Sequence, residues 1–305
     1  MKTITRSLVA GLSFVLALAW PHQAQASFLP SDVPGLKLWL DAGQGVTISG
    51  SGPNAGNVGQ WNDITDGSNN TTAQNPVYNG ANLGPAFLAT GLNGHPALNF
   101  GASGFARLEY LSADLLTPGS ARTVIVVAKA STTGGSLLGF RNGNPSATFD
   151  DQFYLYGPPN ALYVYGDTTF APPNATIPTN QFTTTPFISV LGSPGTGFKA
   201  QFNLNGTQEP VTQSGTVDTE NGANVGFTVG GVNVTATSWD GLISAVLVYD
   251  HVLSFADMNN VGYYLGQEFG VSNTFQEIIP EPSTALLLGA GGLLLCWRRR
   301  NRRQD

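Results

Sequence analysis

Carboxylates are the first place to look for chemistry, since acid–base cleavage needs two of them facing one substrate. Between residues 27 and 279 the glutamates are Glu109, Glu209, Glu220, Glu268 and Glu277, and none has an aspartate two positions on. Strand alternation therefore sets no glutamate–aspartate pair on one face. His95 and His251 are the only histidines after residue 26, and no Gly-x-Ser-x-Gly turn accompanies them. His95 sits in a Gly94–Pro96 turn, and His251 follows Tyr249-Asp250 at a strand end. Neither a nucleophilic triad nor a zinc site is expected from two separate histidines and no cysteine before Cys296.

Oxygen ligands and tyrosines are richer. Asn62, Asp63, Asp66, Asn69 and Asn70 crowd one loop, and Asp150-Asp151 forms a second cluster. Such loops can supply the six to eight oxygens of a calcium ion, which makes Asp63, Asp66, Asp150 and Asp151 the metal candidates and calcium the only cofactor indicated. The same residue types also fill loops because they satisfy backbone groups and tolerate turns, so both readings stand. Phe153-Tyr154-Leu155-Tyr156 and Leu162-Tyr163-Val164-Tyr165 flank Gly157-Pro158-Pro159-Asn160. As a hairpin, this puts Tyr154, Tyr156, Tyr163 and Tyr165 on one face, an aromatic platform on which sugar rings stack. The alternative is cross-strand pairing beneath loops.

The elements that must position these residues are strands. The 305 residues include 38 glycines and 19 prolines, only 10% are charged, and 41% are hydrophobic. That composition punctuates strands, interrupts helices and excludes wholesale disorder. Leu36–Asp41 alternates, with Leu36, Leu38 and Leu40 on one face. Thr123–Ala128 is apolar without alternation, as befits a strand covered on both faces. Further strands are expected at 97–100, 137–140, 153–156, 162–165, 187–191, 199–204, 227–229 and 242–249, with 43–59 and 66–79 as polar loops. Ser254 as N-cap, Asp257 behind it, and Met258, Val261, Leu265 and Phe269 at helical spacing predict one late helix, stopped by Gly270. The expected fold is an all-β jelly-roll sandwich with one short C-terminal helix. Between the two ends stand six basic residues against 17 acidic ones, a surface that repels phosphate backbones and argues against nucleic-acid binding.

The ends address the chain. Lys2 and Arg6, the apolar Leu8–Ala19 and the small-x-small Ala24-Gln25-Ala26 make residues 1–26 a signal peptide for the Sec machinery, cleaved after Ala26. Residues 27–270 form the sandwich and 271–279 a linker. In 280–305, Pro280-Glu281-Pro282 precedes the apolar Ser283–Trp297 and then five arginines between Arg298 and Arg303. Prolines keep a segment extended, fifteen apolar residues suit a transient anchor, and the arginines stay cytoplasmic. This tripartite tail resembles the PEP-CTERM sorting signal of Gram-negative bacteria. The resemblance implies transient inner-membrane anchoring, exosortase processing and release to the cell surface or extracellular matrix.

The domain also resembles a family. Pro34-Gly35-Leu36-Lys37-Leu38-Trp39-Leu40-Asp41-Ala42 looks like its opening strand. Trp61-Asn62-Asp63 and Asn93–Gly101 look like its next landmarks, Thr123–Val127 like its central strand, and Gly241–Leu253 with the helix through Tyr264-Leu265 like its close. In this order they are similar to the LamG-like, concanavalin A-like lectin/glucanase superfamily. One departure is Ile64-Thr65-Asp66-Gly67, where that family often has Ser-Gly after its Trp-x-Asp. The carboxylate motif of its glucanases, Glu-x-Asp-x-x-Glu or close to it, is absent. The function expected is non-catalytic binding of an extracellular polysaccharide or a surface protein. The alternatives are a structural matrix component without a ligand and a divergent polysaccharide hydrolase.

Overall fold

In Arg122–Ala130, Val124, Val126 and Ala128 enter one hydrophobic cluster while Ile125 and Val127 enter another. Both faces of this strand are covered, which is why its apolar run lacks alternation. The computed structural model describes residues 28–50, 55–65, 71–74, 84–101, 106–110, 115–117, 119–131, 135–142, 153–156, 161–166, 175–178, 185–195, 201–213, 225–231 and 239–278. Within them, strand Arg122–Ala130 pairs antiparallel with Phe187–Ser193 on one side and Gly241–Tyr249 on the other. The sheet continues through Gln201–Leu204 to Thr207–Glu209 at one edge, and through His95–Asn99 to Ala86–Leu92 at the other. Leu36–Asp41 also pairs with Gly241–Tyr249, making eight strands.

A ten-stranded sheet faces it. Its order runs from Thr212–Gln213 through Ala175–Pro178, Ala161–Gly166, Phe153–Tyr156, Ser136–Asn142, Val225–Val229, Arg107–Tyr110, Thr71–Gln74 and Val58–Trp61 to Val46–Ile48. Between the sheets lies the main core, with Leu38, Leu40, Val246 and Phe187 from one side and Trp61, Leu108, Phe140 and Phe227 from the other. The architecture is a β-sandwich with one helix.

Several details differ from the sequence expectation. Leu36 packs with the second cluster rather than beside Leu38 and Leu40, because a register shift between Leu36 and Leu38 rotates the strand. The stretches 43–59 and 66–79, expected as loops, contain the strands Val46–Ile48, Val58–Trp61 and Thr71–Gln74.

The second core lies on the outer face of the eight-stranded sheet, beneath helix α1 (Phe255–Glu268). Ser254 caps it: its Oγ accepts from Asp257 N at 3.1 Å and donates to Asp257 Oδ2 at 2.6 Å. Val261, Leu265 and Phe269 pack onto Trp39, Ile125, Val127, Ala245 and Leu247. Residues 271–278, a linker in the sequence reading, run back along α1 as a strap. Val271 and Phe275 are buried, and a Cβ on Gly262 would lie 2.5 Å from the Phe275 ring. Asn259 Oδ1 accepts from Gln276 N, and the Asn260 amide holds both N and O of Ile278.

Candidate functional site

A cavity opens on the outer face of the eight-stranded sheet, beside the start of α1. Cross-strand register builds its floor. Val190 opposes Asn203, which opposes Gln208, and in the next row Thr123 opposes Gly192, which opposes Gln201. Directly opposed residues share a face, so three amides stand on the outer side while Phe202 and Leu204 point into the main core. Helix α1 covers the apolar part of this face but leaves the amide-bearing edge open. Val252, Leu253, Phe255 and Met258 form the wall, Gly206 borders the cavity, and the volume is about 290 Å³.

Thr123 fixes the wall: its Oγ1 donates to His251 O at 2.8 Å and accepts from Leu253 N at 2.9 Å. A Cβ on Gly192 would come within 3.3 Å of Val252 Cγ1, so glycine keeps space beneath the wall. Gly206 follows Asn205 in a tight turn with φ of +89° and +50° respectively. Asn205 Oδ1 accepts from Ile188 N at 2.8 Å, and its carbonyl accepts from Thr274 N of the strap at 2.7 Å.

Two features of the lining carry chemistry. Asn203 is 6% exposed, and its buried Oδ1 has no hydrogen-bond partner among the described residues. Phe255 is 72% exposed at the first residue of α1, an unusual position for so large an apolar group. None of the described lining residues is ionisable. The site can exchange hydrogen bonds and offer an aromatic face. Thr123 supplies the one hydroxyl of the described lining, and its Oγ1 is held by His251 O and Leu253 N.

The described residues among those singled out from sequence fall elsewhere. In the hairpin, Tyr154 opposes Tyr165 and Tyr156 opposes Tyr163. Leu155 opposes Leu138, a residue of the main core, so alternation sets the four tyrosine positions on the other face of the ten-stranded sheet. Asp63 is buried, and its Oδ1 accepts from Trp39 N and Thr65 N, both at 2.9 Å. That oxygen therefore pins a loop to the Leu36–Asp41 strand. Asp66, Asp150 and Asp151 lie outside the described residues, as do Ala24, Ala26, Pro280, Glu281 and Pro282. Among the described residues no three metal-ligating side chains of the His, Cys, Asp and Glu types converge. His95 packs edge-on against Phe269, and His251 Nδ1 lies 3.2 Å from Asp250 Oδ1, which also approaches Lys37 through its second oxygen at 3.1 Å.

The cavity itself was not legible in the sequence, because its lining comes from five separated segments. The one local signal was the alternation Gln201-Phe202-Asn203-Leu204, which says that amides share a face but not that a helix walls it.

Under the helix C-terminus sits a different feature. Asp41 is buried, with Oδ1 accepting from Gly43 N at 2.7 Å. Burial pushes its carboxyl up to about 6, the Gly43 hydrogen bond opposes this, and the negative charge of Glu268 adds to it.

Comparison with known proteins places part of this chain. Residues 279–300 match the PEP-CTERM protein-sorting motif. No match is found among the curated proteins. Among solved structures, the described fold is similar to a Trypanosoma rangeli sialidase in complex with 2-keto-3-deoxy-D-glycero-D-galacto-2,3-difluoro-nononic acid, at 14% identity and a TM-score of 0.51. The match covers 79% of this chain and 34% of the sialidase, so the chain spans about a third of that protein. Domain 4 of AbnA, an extracellular arabinanase from Geobacillus stearothermophilus in complex with arabinotriose, matches at 16% identity and a TM-score of 0.45, over 75% of this chain and 98% of that one. Among the described residues no helix is long and apolar enough to cross a membrane. The chain is thus a β-sandwich followed directly by a PEP-CTERM sorting motif, which implies export and exosortase-mediated processing in a Gram-negative bacterium.

Proposed function

We propose that this is a surface-sorted carbohydrate-binding module that holds its ligand without transforming it. The observation that carries the reading is the cavity beside α1, with three amides, an exposed phenylalanine and no ionisable group among the described lining residues. Amides exchange hydrogen bonds with hydroxyls, and an aromatic face accepts the C–H side of a sugar ring. A hydrolytic site would need a carboxylate pair, which the described lining residues do not supply. In this reading the sandwich is a LamG-like, concanavalin A-like jelly roll. The processed protein works at the cell surface or in the extracellular matrix, with the tail having served as a transient membrane anchor.

The test is a glycan array probed with the purified exported protein, followed by chromatography of each bound glycan after prolonged incubation. Saturable binding with glycans recovered intact is the expected result. Shortened glycans would replace the reading with a hydrolase. A blank array would replace it with a structural or protein-binding role.

A second reading places the ligand on the hairpin, and the register that sets four tyrosine positions on one outer face favours it. Tyr154→Ala with Tyr163→Ala separates the two: binding that survives this pair belongs to the cavity. Addition of chelator to the array tests the alternative in which Asp63, Asp66, Asp150 and Asp151 hold calcium.

A further inference from the structure

We infer that the cavity beside α1 takes a single uncharged sugar residue, with one hydroxyl donating to Asn203 Oδ1 and the ring face against Phe255. This rests on the carbohydrate reading above and goes further, to the charge class, size and orientation of the ligand.

Asn203 fixes the polarity. Its Oδ1 is an acceptor, buried and without a partner among the described residues. A buried polar atom left unmatched costs about 1–3 kcal/mol, so its natural complement is a group that donates. A hydroxyl donates. A carboxylate or sulfate only accepts, and would set negative charge against a carbonyl oxygen. Gln201, on the same strand, and Gln208, on the edge strand, stand exposed and can both donate and accept. Recognition of an acidic sugar calls for a guanidinium or ammonium partner, and the described lining residues include neither. The wider domain repeats the bias, with six basic residues against 17 acidic ones between residues 27 and 279.

Size comes from the enclosure. A volume of about 290 Å³ lies at the bottom of the range of ligand pockets, about 300–1,000 Å³. Helix α1 walls one side and the Asn205-Gly206 turn, gripped by Thr274, borders the cavity. One ring fits, and an extended chain must leave the cavity after it. Orientation comes from Phe255, whose exposed ring stands on the wall side and supplies a stacking face for a sugar whose hydroxyl edge meets the amides.

The experiment is ligand-observed saturation-transfer NMR on the purified exported protein. The probes are the methyl glycosides of glucose, galactose and mannose, with glucuronate and N-acetylneuraminate as acidic counterparts. Saturable transfer to at least one neutral glycoside, strongest at its ring C–H protons, is expected, with binding at least tenfold weaker in both Phe255→Ala and Asn203→Leu. Gln208→Ala, on the edge strand, serves if Asn203→Leu fails to fold, and a similar loss is expected. Acidic sugars binding as tightly as neutral ones would overturn the inference while leaving the carbohydrate reading intact. Neutral binding that ignores all three substitutions would overturn both the site and its orientation. Absence of transfer to every probe, beside a positive array, would overturn the single-residue claim; beside a blank array it would remove the carbohydrate reading as well.

Discussion

Replacing Asp41 by asparagine is expected to stabilise the domain at neutral pH and to lose that effect in acid. Asp41 ends the Leu36–Asp41 strand, is 2% exposed, and shares its surroundings with Glu268 near the end of α1. Burial raises the carboxyl from 3.8 to about 6, despite the hydrogen bond from Gly43 N. An acid whose folded pKa is raised binds its proton more tightly when folded. Its favourable contribution is therefore complete below pH 3.8 and disappears as pH rises through about 6. Above that, the charge costs about 3 kcal/mol, the free energy of a shift of this size. Asparagine retains an acceptor for Gly43 N and carries no charge. Thermal unfolding of both proteins from pH 4 to pH 8 measures the difference. The variant should melt about 6–12 °C higher at pH 8, since about 2–4 °C accompany each kcal/mol in a domain of this size, and should match the parent near pH 4. An asparagine variant that is less stable at pH 8, or whose effect is the same at both ends of the range, would refute the burial argument.

The strap is expected to belong to the folded unit. Phe275→Ala should cost about 3 kcal/mol, the usual range for a buried phenylalanine, and Asn260→Ala about 1–2 kcal/mol through two hydrogen bonds to Ile278; denaturant melts check both. Gly230 has φ of +81° and its missing Cβ would overlap the Phe100 ring, so Gly230→Ala should destabilise by about 3 kcal/mol, read in the same melts. Asp63→Ala removes an acceptor shared by Trp39 N and Thr65 N and should lower Tm equally with and without chelator; a loss seen only when calcium is present would make Asp63 a metal ligand instead.

Legibility followed the length scale of each cause. The helix was readable because its cap and its apolar spacing are local: Ser254 and Asp257 sit where the structure joins them. Arg122–Ala130 was readable because two-sided burial leaves an apolar run. Strands without such a signature escaped: Ala86–Leu92 is mostly exposed, and Thr207–Glu209 is a three-residue edge. Val271–Ile278 reads as a linker because its tie to the fold is carried by Asn259, Asn260 and one phenylalanine, with no periodicity. The cavity was hidden for a related reason. Gln201 and Asn203 look like ordinary outward residues until α1, about fifty residues later in sequence, stands beside them. Asp63 was conspicuous yet ambiguous, because the oxygen that would bind calcium is the same one that satisfies a backbone N–H.

The most direct test of a binding cavity beside α1 is a crystal structure of the exported protein soaked with the tightest glycan from the array. One sugar residue is expected between Asn203 and Phe255, with the rest of the glycan leading away from the sheet. Sugar density over the Tyr154–Tyr165 hairpin, with the cavity holding only water, would contradict it.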